Sequence, residues 1–134
     1  MTDEEIRQLD NHELDEEAFR LGLAPADIVP ILIGLGRRMF LRHGPLRYKT
    51  LHVAWSPATV RADAAACLDV VRARGYATST TWEAGDGLVQ IFAGDQLGLT
   101  VACWEASYTT AQEEAHALLL CAVLALSARE ASQR

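Results

Sequence analysis

The stretch Tyr76-Ala77-Thr78-Ser79-Thr80-Thr81-Trp82-Glu83-Ala84-Gly85-Asp86-Gly87-Leu88-Val89-Gln90-Ile91-Phe92-Ala93 decides the fold. Its first half is rich in β-branched and aromatic residues, with Tyr76, Thr78, Thr80 and Trp82 on one face, and predicts a strand. Gly85-Asp86-Gly87 reads as a hairpin turn, and Leu88 to Ala93 as the returning strand. Gly94-Asp95-Gln96-Leu97-Gly98 turns the chain again. Leu99 to Ala106 then forms a third strand, with Ala102 and Trp104 on one face and Val101 and Cys103 on the other. The last two strands are apolar on both faces, so the sheet needs a cover on each side, and helices must supply it.

Downstream, Thr109 or Thr110 opens a helix, with Gln112 or Glu113 completing a capping box. Ala111, Ala115, Leu118, Leu119, Ala122, Val123 and Leu126 make its core stripe, and Leu120 and Leu124 add a second apolar face. A helix apolar on more than one side is deeply buried or sits at a homo-oligomer interface. Upstream, Ser56-Pro57 or Thr59 starts a helix whose stripe is Val60, Ala64, Cys67 or Leu68, and Val71. Arg72 and Arg74 fall in its last turn and Gly75 closes it. Leu46 to Trp55 reads as extended. Ile28 to Leu41 is apolar almost all round and is expected to be a helix, with Pro30 in its first turn and Gly44-Pro45 ending it. Before it, Thr2 with Glu5 makes one capping box, and Asp10 or Asn11 offers a second cap. Residues 3–21 are therefore one bent helix or two short ones, closed by Gly22. The fold class is α+β, an antiparallel sheet of three to four strands sandwiched between helical layers, in one domain over residues 1–134.

Half of the 134 residues are hydrophobic and 22% are charged, which excludes a disordered chain. The net charge of −6 is unevenly spread. Residues 1–27 hold nine acids and two bases, residues 28–62 no acid and six bases, and residues 63–134 nine acids and four bases. The acidic total excludes general binding to nucleic-acid backbone. The longest apolar run, Leu118 to Leu126, is shorter than the roughly 18 residues of a membrane span. The acidic start resembles no signal or transit peptide. Three cysteines, Cys67, Cys103 and Cys121, with no CxxC pair, read as buried free thiols in a reducing, cytoplasmic compartment.

No phosphate-binding glycine loop, HExxH or GxSxG motif is present. Glu113 and His116 form half of a di-iron bundle motif whose other half is missing. Asp63 and Asp69 point to different faces of one helix, and no neighbouring base activates Ser56 or a cysteine. No catalytic residue, metal or cofactor is assigned. One segment has ligand-binding character. Arg37, Arg38, Arg42, His43, Arg47, Tyr48, Lys49 and Trp55, with His52 among them, gather cations that clamp phosphate and rings that stack a base. The other reading makes the cations helix-end residues paired with the acidic first helix, and the rings core or rim residues.

The segment Leu9-Asp10-Asn11-His12-Glu13-Leu14 through Leu21-Gly22-Leu23 resembles the opening of small phage proteins. The stretch from Trp55-Ser56-Pro57 to Arg74-Gly75-Tyr76 is similar to their central helix and its exit into a strand, and Thr109 to Leu126 to their alanine-rich final helix. The family is the phage ABA-sandwich group, with the NinX-like phage proteins as near relatives. The resemblance divides the chain into a helical segment 1–23, a basic apolar insertion 24–50 and a sandwich core 51–130. It implies an antiparallel sheet between helical layers and a phage origin. With the cations and rings of residues 37–55, the expected function is a non-catalytic protein that counters host defence by capturing a small phosphate-bearing nucleotide signal. The alternative is an acidic inhibitor of a host protein, of the anti-CRISPR type, and a remoter one is a small hydrolase or transferase. The expected partners are a small anionic ligand or a host protein, within a homo-oligomer.

Overall fold

The computed structural model describes residues 1–32, 38–44 and 51–133, with backbone alone for 42–44 and 51–53. The class is α+β. Two short helices open the chain, α1 (Asp3–Arg7) and α2 (Asn11–Arg20). Each begins with a complete capping box, Thr2 with Glu5 and Asp10 with Glu13, so the acidic segment breaks into two helices. Gly22, at φ +79°, closes α2 in the left-handed conformation.

The segment from Ile28 is a correction to the sequence reading. It forms a hairpin of β1 (Ile28–Leu32) and β2 (Arg38–Gly44), extended by β3 (Leu51–Ala54) in an antiparallel sheet of order β1-β2-β3. β-Branched Ile28, Val29 and Ile31 favour extended backbone, and Pro30 is tolerated because β1 is an edge strand. Gly34 and Gly36 fall between the strands in sequence, outside the described residues. With Ile28–Leu32 and Arg38–Gly44 extended, Arg38, Arg42 and His43 sit in β2 and are not helix-end cations.

α3 (Arg61–Ala73) buries Ala64, Cys67, Leu68 and Val71. It starts later than Ser56 or Thr59, with Val60 at its N-cap and no side-chain cap, because Ser56 is held elsewhere. Gly75, at φ +99°, then turns the chain into β4 (Ala77–Glu83). β5 (Asp86–Gly94) and β6 (Thr100–Tyr108) complete a second antiparallel sheet, of order β4-β5-β6. The β4–β5 turn is one step earlier than Gly85-Asp86-Gly87. Glu83 pairs with Asp86, leaving Ala84 and Gly85 as the two central residues, at φ +51° and +82°. Two positive angles define a type I′ turn, and Ala84 carries a Cβ where that costs energy.

A 3₁₀ turn (Ala111–Glu113) leads into α4 (Glu114–Ser132). Ala115 and every residue from Ala117 to Leu126 are buried. By length and composition α4 could cross a bilayer, but here it is the core of the fold. One side meets the inward face of β5 and β6, where Val89 and Ile91 are fully buried. The other sides meet α1, α2 and α3.

The second cover expected over the β4-β5-β6 sheet is absent among the described residues at Val101, which is 64% exposed, and at Cys103, which is also exposed. Cys67 and Cys121 are buried as expected, so Cys103 is the exception. β6 is an edge strand, and from α1 the Arg7 guanidinium donates to its Glu105 carbonyl at 2.9 Å.

Replacing Ala84 with Gly or Asn is expected to stabilise the protein by about 0.5–1 kcal/mol, because both residues adopt positive φ readily. Ala84→Val is expected to destabilise it. Urea denaturation midpoints at constant m-value check both.

Candidate functional site

α3 ends at Ala73, so Arg74 and Tyr76 flank the corner made by Gly75. Alternation along β6 aims Trp104 toward α4. Toward the C-terminal end of α4 the packing side chains become small: Ala93 on β5, Ala102 on β6 and Ala128 on α4. They leave a gap between sheet and helix, a groove of about 500 Å³ lined also by Arg74, Tyr76, Trp104 and Arg129.

Tyr76 and Trp104 meet edge to face, with ring centroids 6.2 Å apart at 65°. The Arg129 guanidinium lies 6.0 Å from the Tyr76 ring centre, within cation–π range. Arg74 donates to the Leu21 and Gly22 carbonyls, both at 3.2 Å. A Cβ at Gly22 would stand 3.0 Å from Arg74 Nη2, so the glycine allows this close approach as well as the helix stop. Neither Arg74 nor Arg129 has a carboxylate partner among the described residues. Both stand near helix C-termini, where cations offset the dipole, yet they bring two full positive charges to the groove wall.

A polar recess of about 450 Å³ continues the groove past Arg74 and Arg129 to Arg20 and Glu130. There the Arg20 guanidinium is held by Glu17 at 2.8 Å and by Glu130 at 3.0 Å.

A second polar cluster joins α2 to the loop before α3. Asp15, 5% exposed, accepts from the Ala58 N–H and the Ser56 Oγ–H, both at 2.8 Å. Ser56 Oγ also lies 2.7 Å from Thr59 Oγ1, and its N–H donates to Asp63 at 3.1 Å. Burial pushes the Asp15 carboxyl up to about 6, against the lowering effect of these hydrogen bonds. Among the described residues the Ser56 hydroxyl meets the Asp15 carboxylate and the Thr59 hydroxyl, and the cluster ties α2 to the loop before α3. Burial also raises the Cys67 and Cys121 thiols to about 12, which keeps them protonated at neutral pH. Burial lowers His116, whose Nδ1 is 2.6 Å from Asn11 Oδ1. No group of three His, Cys, Asp or Glu suited to a metal occurs among the described residues.

The residues singled out in the sequence are placed as follows. Arg38 forms an ion pair with Glu16 of α2 at 2.5 Å and lies 5.7 Å from the ring centres of Phe19 and Phe40. Trp55 is 2% exposed and packs against Phe40. Arg42 and His43 lie in β2, with side chains outside the description. Arg37, Arg47, Tyr48 and Lys49 lie outside the described residues. The groove residues were not found as a site from sequence. Arg74 read as a last-turn cation and Tyr76 as a strand residue, and nothing in the sequence singled out Arg129. The sole signal was that Trp104 shares a strand face with small Ala102. No family model, no curated protein and no solved structure matches this chain.

The Asp15 pKa sets a pH dependence. A raised folded-state value means the folded protein holds the proton more tightly between pH 3.8 and about 6. The contribution of Asp15 to stability is therefore full below 3.8 and is lost as pH rises through 6. Relative to wild type, Asp15→Asn is expected to gain about 3 kcal/mol between pH 3.5 and 7.5. Paired denaturation curves across that range measure the gain.

Proposed function

We propose that this protein is a non-catalytic binding protein that captures a small anionic ligand carrying a planar group, in the groove between the β4-β5-β6 sheet and the end of α4. The observation that carries the reading is the convergence of two guanidinium groups, Arg74 and Arg129, without carboxylate partners among the described residues, on an open groove with an aromatic wall, Tyr76 and Trp104. Guanidinium forks match phosphate or carboxylate oxygens, and an aromatic face stacks a planar ring. The groove volume lies within the range of small-molecule sites. Among the described residues no nucleophile–base pair lines the groove, and the reading is capture. With the phage resemblance, capture takes the sense of withdrawing a host signal from circulation, within the host cytoplasm.

The acidic-inhibitor reading has less support in the geometry. Glu16 and Glu17, central to the acidic segment, are already engaged by Arg38 and Arg20. Within residues 3–17, Asp3, Glu4, Glu5, Asp10 and Glu13 are exposed, and part of that surface serves the capping boxes.

Isothermal titration with a panel of nucleotides and aromatic carboxylates tests the reading. Arg129→Gln is expected to weaken the strongest binder at least tenfold, a loss of about 1.4 kcal/mol or more. Ala102→Leu, which fills the groove and removes no charge, is expected to abolish binding while leaving the denaturation midpoint within about 1 kcal/mol of wild type. Full binding by Ala102→Leu would locate the ligand elsewhere.

A further inference from the structure

Resting on the groove reading, we infer that the groove and the recess behind it form one elongated site for a nucleoside polyphosphate, with the base at the aromatic end and the phosphate chain running toward Arg20. Two observations carry this. The first is continuity. Arg74 and Arg129 line both the groove of about 500 Å³ and the recess of about 450 Å³, so they stand where the two spaces join. Tyr76 and Trp104 lie on the groove side alone, and Arg20 and Gln133 on the recess side alone. A ligand that spans both is aromatic at one end and a chain of hydrogen-bond acceptors at the other.

The second is charge. Three guanidiniums, those of Arg20, Arg74 and Arg129, line the recess against one carboxylate, Glu130. Glu17 lines a neighbouring cavity, and with it counted the guanidiniums still outnumber the carboxylates. A phosphomonoester carries about −1.5 to −2 at neutral pH, which Arg74 and Arg129 balance at the junction. Each further phosphate brings more negative charge into a recess with an excess of cations. Arg74 donates to the neutral carbonyls of Leu21 and Gly22 and keeps N–H groups to spare. Arg20 is held in place by Glu17 at 2.8 Å and Glu130 at 3.0 Å, yet its side chain stays 46% exposed. It therefore meets a terminal phosphate without the cost of ordering a loose side chain. Glu130 is the one group in the recess that competes with that phosphate for Arg20.

The test is titration of the full chain, without divalent cations, with the 5′-mono- and triphosphates of the four common nucleosides and with inorganic tripolyphosphate. Binding is followed by calorimetry and by quenching of tryptophan fluorescence. The expected result is a triphosphate that binds about tenfold or more tighter than its own monophosphate, and tighter than tripolyphosphate, which lacks the base. Gln133→Glu, which adds a carboxylate to the recess, is expected to remove most of that gain and leave the monophosphate unchanged. Glu130→Gln is expected to raise triphosphate affinity several-fold. Circular dichroism confirms that both variants fold as wild type does. A monophosphate that binds wild type as tightly as the triphosphate overturns the recess assignment and leaves the groove reading standing. Tripolyphosphate that binds as tightly as the triphosphate removes the base from the aromatic end and overturns the proposal. Absence of heat and quenching for every compound overturns both readings.

Discussion

Burial of α4 is the constraint on which the rest depends. From Ala117 to Leu126 the helix has no face that tolerates water. Such a segment is stable in solution only when other elements surround it, and this chain surrounds it on every side. The β4-β5-β6 sheet supplies one wall through Val89 and Ile91, and α1, α2 and α3 supply the rest. Alanines at 115, 117, 122 and 125 keep the helix narrow and let neighbouring backbones approach. The enclosure ends where α4 becomes polar, near Ser127, and the groove opens at that end. The candidate site is thus the place where the core runs out.

α2 has a second task, attaching the small sheet to this body. It uses three different kinds of contact within five residues. Asp15 ties the loop after β3, Glu16 pairs with Arg38 on β2, and Phe19 stacks on Phe40 with ring centroids 4.8 Å apart. A buried carboxyl is an expensive way to gain stability. Its geometric demands are narrow, however, and it fixes where β3 leaves the sheet and α3 begins. Trp55, one residue before Ser56, is carried into the core by the same tie.

Local chemistry made much of this legible. Thr2 with Glu5 and the stops at Gly22 and Gly75 could be read directly, and the second cap could be narrowed to Asp10 or Asn11, because a cap is written within four residues. The strands β4 to β6 were legible from β-branched content and turn residues, but their inward face was not, because both faces of the last two strands are apolar in sequence. Ile28 to Leu41 misled because an apolar run shows no period by itself, and length with a proline near its start favoured a helix. Edge position, which admits Pro30, is a property of the assembled sheet. The helix start at Arg61 was displaced by a carboxylate 41 residues from Ser56. The groove was illegible for the same reason in stronger form. Its walls come from residues 74, 76, 93, 102, 104 and 129, each with a sufficient local explanation of its own.

The contact between Arg7 and the Glu105 carbonyl has a meaning beyond the packing of α1. β6 is a nine-residue edge strand, preceded by Leu97 at 84% and Leu99 at 63% exposure. A strand of that kind is a template for pairing with any extended chain it meets. α1 holds an arginine against its middle and so acts as a guard against runaway strand addition. The first helix, the shortest of the four described, therefore covers part of the edge along which a further strand would add.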